Sequence, residues 1–131
     1  MKRLQPPDWP RPSGYANGIS ARGRMIFTAG VIGWDAEGRF PSPDLAGQFR
    51  QVLSNILAIL AEDKAGPEHV VRMTCYITSR DEYVASLAAI GAAWREAMGR
   101  HYPAMAVVEV SALVEPEAKV EIETIAVVED A

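Results

Sequence analysis

The chain has 131 residues, 49% of them apolar, with a single cysteine and a formal net charge of −4. That length suits one domain, 1–131, built on one core. The acidic balance argues against a generic nucleic-acid binder, whose footprint is a basic face, and no apolar run approaches the length of a membrane span.

Residues 1–13 contain four prolines and read as an irregular N-terminal arm. Their two early basic residues are followed by no apolar stretch, so a secretory signal is not expected, and a cytoplasmic protein is. Gly14–Ile19 reads as entry into a short first strand and Arg24–Ile32 as a second, the pair forming a hairpin around the Ala21–Arg24 turn. Gly30 interrupts the second strand, which marks a bulge or a close approach by a ligand or another chain. The glycines of the following loop do not have phosphate-loop spacing.

Ser42-Pro43-Asp44 is a helix start, with residue types that satisfy and complement the first turn. Leu45, Phe49, Val52, Leu53, Ile56, Leu57 and Leu60 recur at helical spacing and form one apolar stripe. Gly66 is expected as the left-handed cap, with Pro67 behind it. Val70–Thr78 is the third strand, with Val71, Met73, Cys75 and Ile77 on an apolar face and Arg72, Thr74, Tyr76 and Thr78 on the other. Cys75 therefore reads as a small buried hydrophobe. Ser79 and Glu82 have capping-box spacing. A second helix follows to about Met98, with Val84, Leu87, Ile90, Gly91, Trp94 and Met98 inward. His69 and His101 make no metal-ligand pattern with Cys75, and no metal or other cofactor is expected.

Pro103–Val128 reads as two strands, from about Met105 to Ala112 and from about Lys119 to Val128, separated by a loop at Pro116. The last strand puts Lys119, Glu121 and Glu123 on one face and Val120, Ile122 and Ala126 on the other. Glu is disfavoured inside strands. These acids face water, as one side of an antiparallel sheet often does, or they line a wet cleft or polar subunit contact. The order is β-β-α-β-α-β-β, an α+β chain in which two helices cover one face of one sheet. The other face, holding Arg72, Thr74, Tyr76, Glu121 and Glu123, is expected to pack against other copies under closed symmetry.

The helix stripe, its Gly-Pro break, VVRMTCYIT, the second helix, PAMAVVEV and KVEIETIAVV together resemble the RidA/YjgF family of enamine/imine deaminases, from about Gly14 to Val128. The resemblance implies a chorismate-mutase-like fold, a homotrimer, and small-molecule clefts between subunits. In that family an arginine after a Pro-Ala pair grips the substrate carboxylate, bidentately and with charge assistance. A strand glutamate positions water, and a tyrosine and a Ser-Gly pair shape the cleft. Mapped onto this chain, Glu121 is the catalytic glutamate, a general base or water orienter, and Tyr15 the tyrosine. Ala29 and Gly30 replace Ser-Gly, Met105 stands in the arginine's place, Ala106 follows it, and Val107 occupies a common cysteine position. Trp34 is a candidate cleft wall or, alternatively, a loop residue packing on a subunit edge.

Methionine has no donor, and losing a charge-assisted pair in a closed cleft costs about 2–5 kcal/mol. Arg72, Arg24 and Arg100 are candidates to replace the clamp; for Arg72, neutralising Glu121 or Glu123 across the sheet is the structural alternative. The resemblance thus implies a hydrolase deaminating an enamine or imine other than the usual small 2-imino acids. The alternative is a non-catalytic trimer that binds a small metabolite. A third reading is a trimer valued for its protein contacts.

Overall fold

The fold is built around helix α1, Leu45–Ala61. Its stripe of Leu45, Phe49, Val52, Leu53, Ile56 and Leu60 is sealed from solvent, each burial stabilising by roughly 1.5–3 kcal/mol. The computed structural model describes residues 1–129. Asp44 caps the helix, its side chain accepting from the Gly47 amide. Ser42, expected in that role, instead donates its hydroxyl to Asp44 at 3.0 Å. The left-handed residue at the far end is Lys64, with φ 59°, and Gly66 is extended with φ −132°. The chain turns early because the Ala65 amide closes onto the Leu60 carbonyl at 3.0 Å, and the Gly66 amide is taken by His69 Nδ1 at 2.9 Å.

Among the described residues the strands are β1 (Lys2–Arg3), β2 (Ile19–Ser20), β3 (Arg24–Phe27), β4 (Val31–Ile32), β5 (Val70–Ile77), β6 (Ala104–Glu109) and β7 (Val120–Val128). The main sheet runs β3-β7-β5-β6, with β4 also paired to β7. Strands β5 and β6 are parallel; β7 is antiparallel to β5, β3 and β4. Helix α1 and helix α3 (Leu87–Met98) pack on one side of this sheet.

Several expected details differ. The hairpin between the first two strands does not form. β2 pairs with β1, and β3 and β4 pair with β7. The last strand supplies nine paired residues rich in Val and Ile, a longer partner than the two-residue β2. The arm is consequently not irregular throughout. Besides the β1 ladder, Asn17 donates to Gln5 at 2.8 Å, and Arg3 donates to the Tyr102 carbonyl at 2.6 Å. The single strand expected over Arg24–Ile32 is broken at Thr28–Gly30. There the Thr28 hydroxyl accepts the Thr124 amide at 3.0 Å in place of a backbone carbonyl.

A bulge at Val70/Arg72 makes Val70, rather than Val71, the first core residue of β5. The second helix divides at Ser86 into α2 (Arg80–Ala85) and α3, leaving Val84 and Leu87 exposed. Ser79 caps α2 as expected, accepting from the Glu82 amide at 3.1 Å. The Glu82 carboxylate does not close a capping box. It accepts the Leu45 amide at 3.1 Å and pairs with Lys119 at 3.0 Å, tying α1, α2 and the start of β7 together.

Candidate functional site

Strand register decides where each candidate side chain points. On β7, Glu121 and Glu123 alternate with the buried Val120, Ile122 and Thr124, so both carboxylates stand on the sheet face away from the helices. Glu121 is opposite Tyr76 on β5 and Ile32 on β4. The Tyr76 hydroxyl donates to Glu123 at 2.8 Å. That bond, followed by partial burial and the charges of Glu123 and Glu121, raises the phenol pKa, with Arg72 opposing. Arg72 is on β5, on this same face.

The break between β3 and β4 serves Glu121. A Cβ placed on Gly30 would lie 2.4 Å from Glu121 Oε2, so the absence of a side chain at Gly30 leaves the carboxylate its position. The close approach expected at Gly30 is therefore made by this chain's own glutamate. Ala29 lies on the exposed bend beside it, its carbonyl accepting from the Thr28 hydroxyl at 2.8 Å. Trp34 follows β4, partly exposed, its ring 6.1 Å from that of Phe40. Its carbonyl accepts from Asn55 of α1 at 2.7 Å.

Met105 lies elsewhere. It is paired with the core residue Met73 on β5, so its side chain points to the helix side. There it lines a cleft of about 510 Å³ together with Tyr15, Val107, Tyr102 and residues of α3. Ala106, paired with Thr74, faces the opposite side. The row through Met105 crosses β7 at Thr124. Glu121 is thus about 10 Å away across two strand spacings, and about 10 Å further along. The sequence-predicted residues fall into two groups on one protomer: Tyr15, Met105 and Val107 at the β6 edge, and Ala29, Gly30, Trp34 and Glu121 towards the β3/β4 edge.

None of the expected substitute cations reaches the Met105 cleft. Arg72 is on the other sheet face, Arg24 is paired with Asp63, and Arg100 is not among the residues lining the cleft. The arginine that does line it is Arg95 of α3, which spacing in the sequence did not single out. Arg95 lies one helical turn after Gly91, and its Nη1 is 3.3 Å from where a Gly91 Cβ would be. Gln48 was also missed, as a polar residue within an apolar stripe. It is 1% exposed, donates to the Glu117 and Ser42 carbonyls at 2.9 and 3.3 Å, and accepts the Lys119 amide at 2.8 Å. It thereby anchors the entry to β7 and the approach of Glu121.

Cys75 is fully buried, and desolvation pushes its thiol up to about 12, which removes it from nucleophilic chemistry near neutrality. The histidines have structural partners: His101 Nε2 donates to the Val70 carbonyl at 2.6 Å, and His69 caps Gly66. Among the described residues, no cluster of His, Cys, Asp and Glu has a metal-holding arrangement, and no helix is long and apolar enough to cross a membrane.

A family model described as endoribonuclease L-PSP matches residues 10–128. A RutC family protein of Synechocystis sp. is 33% identical over 129 residues, 97% of this chain and 96% of the relative. A Rid family protein from Yersinia pestis superposes with a TM-score of 0.83 at 31% identity, covering 97% of this chain and 98% of its own. The chain belongs to the RidA/YjgF family. The Escherichia coli YjgF gene product has a TM-score of 0.71 at 31% identity, covering 97% of this chain and 98% of its own. Escherichia coli TdcF, solved with bound serine, has a TM-score of 0.68 at 29% identity, covering 98% of this chain and all of its own. Within the RidA/YjgF family, the present chain carries Met105 on a wall that also presents Arg95.

Proposed function

We propose that this RidA/YjgF protein is a hydrolase that deaminates an enamine or imine outside the small 2-imino acids. It works as a homotrimer in which Glu121 of one protomer faces the Met105 cleft of the next. The observation that carries the reading is the separation of the two groups: a cleft without its carboxylate and a carboxylate without its cleft. One chain cannot unite them, because they lie on opposite sheet faces and on strands two apart in the sheet. A second copy applied to the open face brings one to the other. Met25, Phe27 and Val108 are exposed on that face at 57%, 64% and 42%, an apolar rim around Glu121, Glu123, Tyr76 and Arg72 that suits burial against another copy.

In the proposed reaction Glu121 takes a proton from water as the water oxygen bonds to the imine carbon. The C=N π electrons move to nitrogen, which is protonated. The resulting carbinolamine then loses ammonia, its hydroxyl proton leaving as the carbonyl forms, so that imine and water become carbonyl and ammonia. The fixed position of Glu121 opposite Gly30 supports the role by holding the base in place. Although the matched model is named for a ribonuclease, the net charge of −4 and the small cleft support a small-molecule substrate. The cleft's apolar lining at Met105 also fits the alternative of a metabolite-binding trimer without turnover.

The experiment is ammonia and carbonyl release from 2-aminoacrylate or 2-iminobutyrate generated in situ, and from aryl-substituted imines. Wild-type protein is expected to favour the aryl imines. Met105→Arg is expected to gain activity on the small 2-imino acids and to lose it again when combined with Glu121→Ala. Wild-type activity on 2-iminobutyrate equal to that of an arginine-bearing relative would overturn the role given to Met105. A mass in solution equal to one protomer would overturn the shared site.

A further inference from the structure

The cleft at Met105 has a composition that specifies a ligand. Tyr15, Tyr102 and Met105 offer flat and polarisable apolar surface, and Trp94 backs the wall, its ring stacked on Tyr102 at 6.0 Å and 7°. Arg95 is the one cation lining it. Its guanidinium lies back over Gly91, a residue whose missing side chain leaves room for it. Arg24, Arg39 and Arg50 are paired with Asp63, Glu37 and Glu96; Arg95, like Arg72 and Arg100, has no acidic partner among the described residues, and of these three it alone lines the cleft. A guanidinium without a counter-ion, beside an apolar and aromatic pocket, is matched by a carboxylate attached to a ring.

We infer that the Met105 cleft binds small arylalkyl carboxylates, the ring lying against Tyr15, Tyr102 and Met105 and the carboxylate held by Arg95. This deepens the functional reading by naming the ligand class, and it rests on the cleft being the substrate-binding part of the site. It does not rest on turnover. The clamp enters from α3 instead of from β6, so the carboxylate end lies towards the helix and the space above Met105 is left to an apolar group. An aliphatic imino acid with no ring would engage Arg95 alone and leave the apolar wall uncovered.

The test uses the intact protein and stable probes, with binding followed by calorimetry. Phenylacetate is expected to bind, phenylacetamide to bind about tenfold more weakly or worse because it loses the charge-assisted bond, and acetate to bind about tenfold more weakly or worse because it loses the burial of the ring. Arg95→Gln is expected to lower phenylacetate affinity by about tenfold or more and to leave phenylacetamide unchanged. Arg95→Lys, which keeps charge without the fork, falls between. Arg39→Gln, on an exposed loop, serves as the control. Equal binding of phenylacetate and phenylacetamide, an Arg95→Gln protein that binds phenylacetate as wild type does, or no binding at millimolar phenylacetate would each overturn the inference. Charge-selective binding without ammonia release from any imine would sustain it while refuting the deaminase reading.

Discussion

Replacing Gln48 by leucine tests how the entry to β7 is held. Gln48 is buried within the α1 stripe, and its amide group makes three hydrogen bonds to Ser42, Glu117 and Lys119. Leucine is close in volume and favoured at a helix position, so neither cavity nor propensity should dominate. What remains is two carbonyls and one amide without their partner. A buried group left unsatisfied costs about 1–3 kcal/mol. Ser42 is half-buried and Glu117 exposed, so water can recover much of the carbonyl loss, while the Lys119 amide is expected to bear the full penalty. The expected destabilisation is thus about 2–4 kcal/mol. Gln48→Glu is expected to be worse, because a carboxylate keeps the Lys119 bond but turns an acceptor towards both carbonyls. Urea unfolding checks the magnitude, and amide exchange at Lys119 checks the location. A Gln48→Leu protein within about 0.5 kcal/mol of wild type, or one with unchanged protection at Lys119, would refute the assignment.

Two further outcomes follow from the same geometry. Gly30→Ala leaves the backbone unstrained and moves only the flexible end of Glu121. Stability should change by less than about 1 kcal/mol, while turnover falls about a hundredfold, as a displacement near 1 Å typically causes; melting curves and ammonia release separate the two effects. Cys75, with its thiol pushed up to about 12 by burial, should resist thiol reagents at pH 8 in the native protein and react fully in guanidinium, an expectation that rapid native labelling would contradict.

The helix stripe, the capping serine of α2 and the alternation of the last strand were legible because each is a local pattern of period 3.6 or 2. All six fully buried aliphatic and aromatic positions of α1 lie on that stripe. Pairing was less legible. The β1–β2 contact joins Lys2 to Ser20 across a proline-rich arm, and nothing in two-residue strands marks a partner. The choice of β7 over β2 as the partner of β3 is a long-range competition that local turn chemistry does not report. The end of α1 shifted for a local reason, since the Gly66 amide is taken by the side chain of His69 three residues on and the left-handed residue is Lys64.

The site shows the same division. Parity along β7 and along β5 placed Glu121 and Arg72 on the polar faces of their strands, but the face of Met105 depends on its register with β5, and a parallel pair carries no turn to announce that register. Once Met105 is opposite Met73, Arg72 is excluded as its neighbour, because Arg72 is opposite Ala104 and one step of register exchanges faces. The cation must then come from whatever packs on the helix side, and among the described residues lining the cleft that cation is Arg95 of α3. Arg95 was invisible in the sequence because a charged residue near the end of an amphipathic helix is ordinarily a solvated one. Arg95 is exposed as well; what distinguishes it is its place on the cleft wall, with Gly91 one turn earlier beside its guanidinium. A bulky residue at Gly91 would push the guanidinium out of the cleft while leaving the charge on the helix, so position, rather than charge, is what this helix contributes to the cleft.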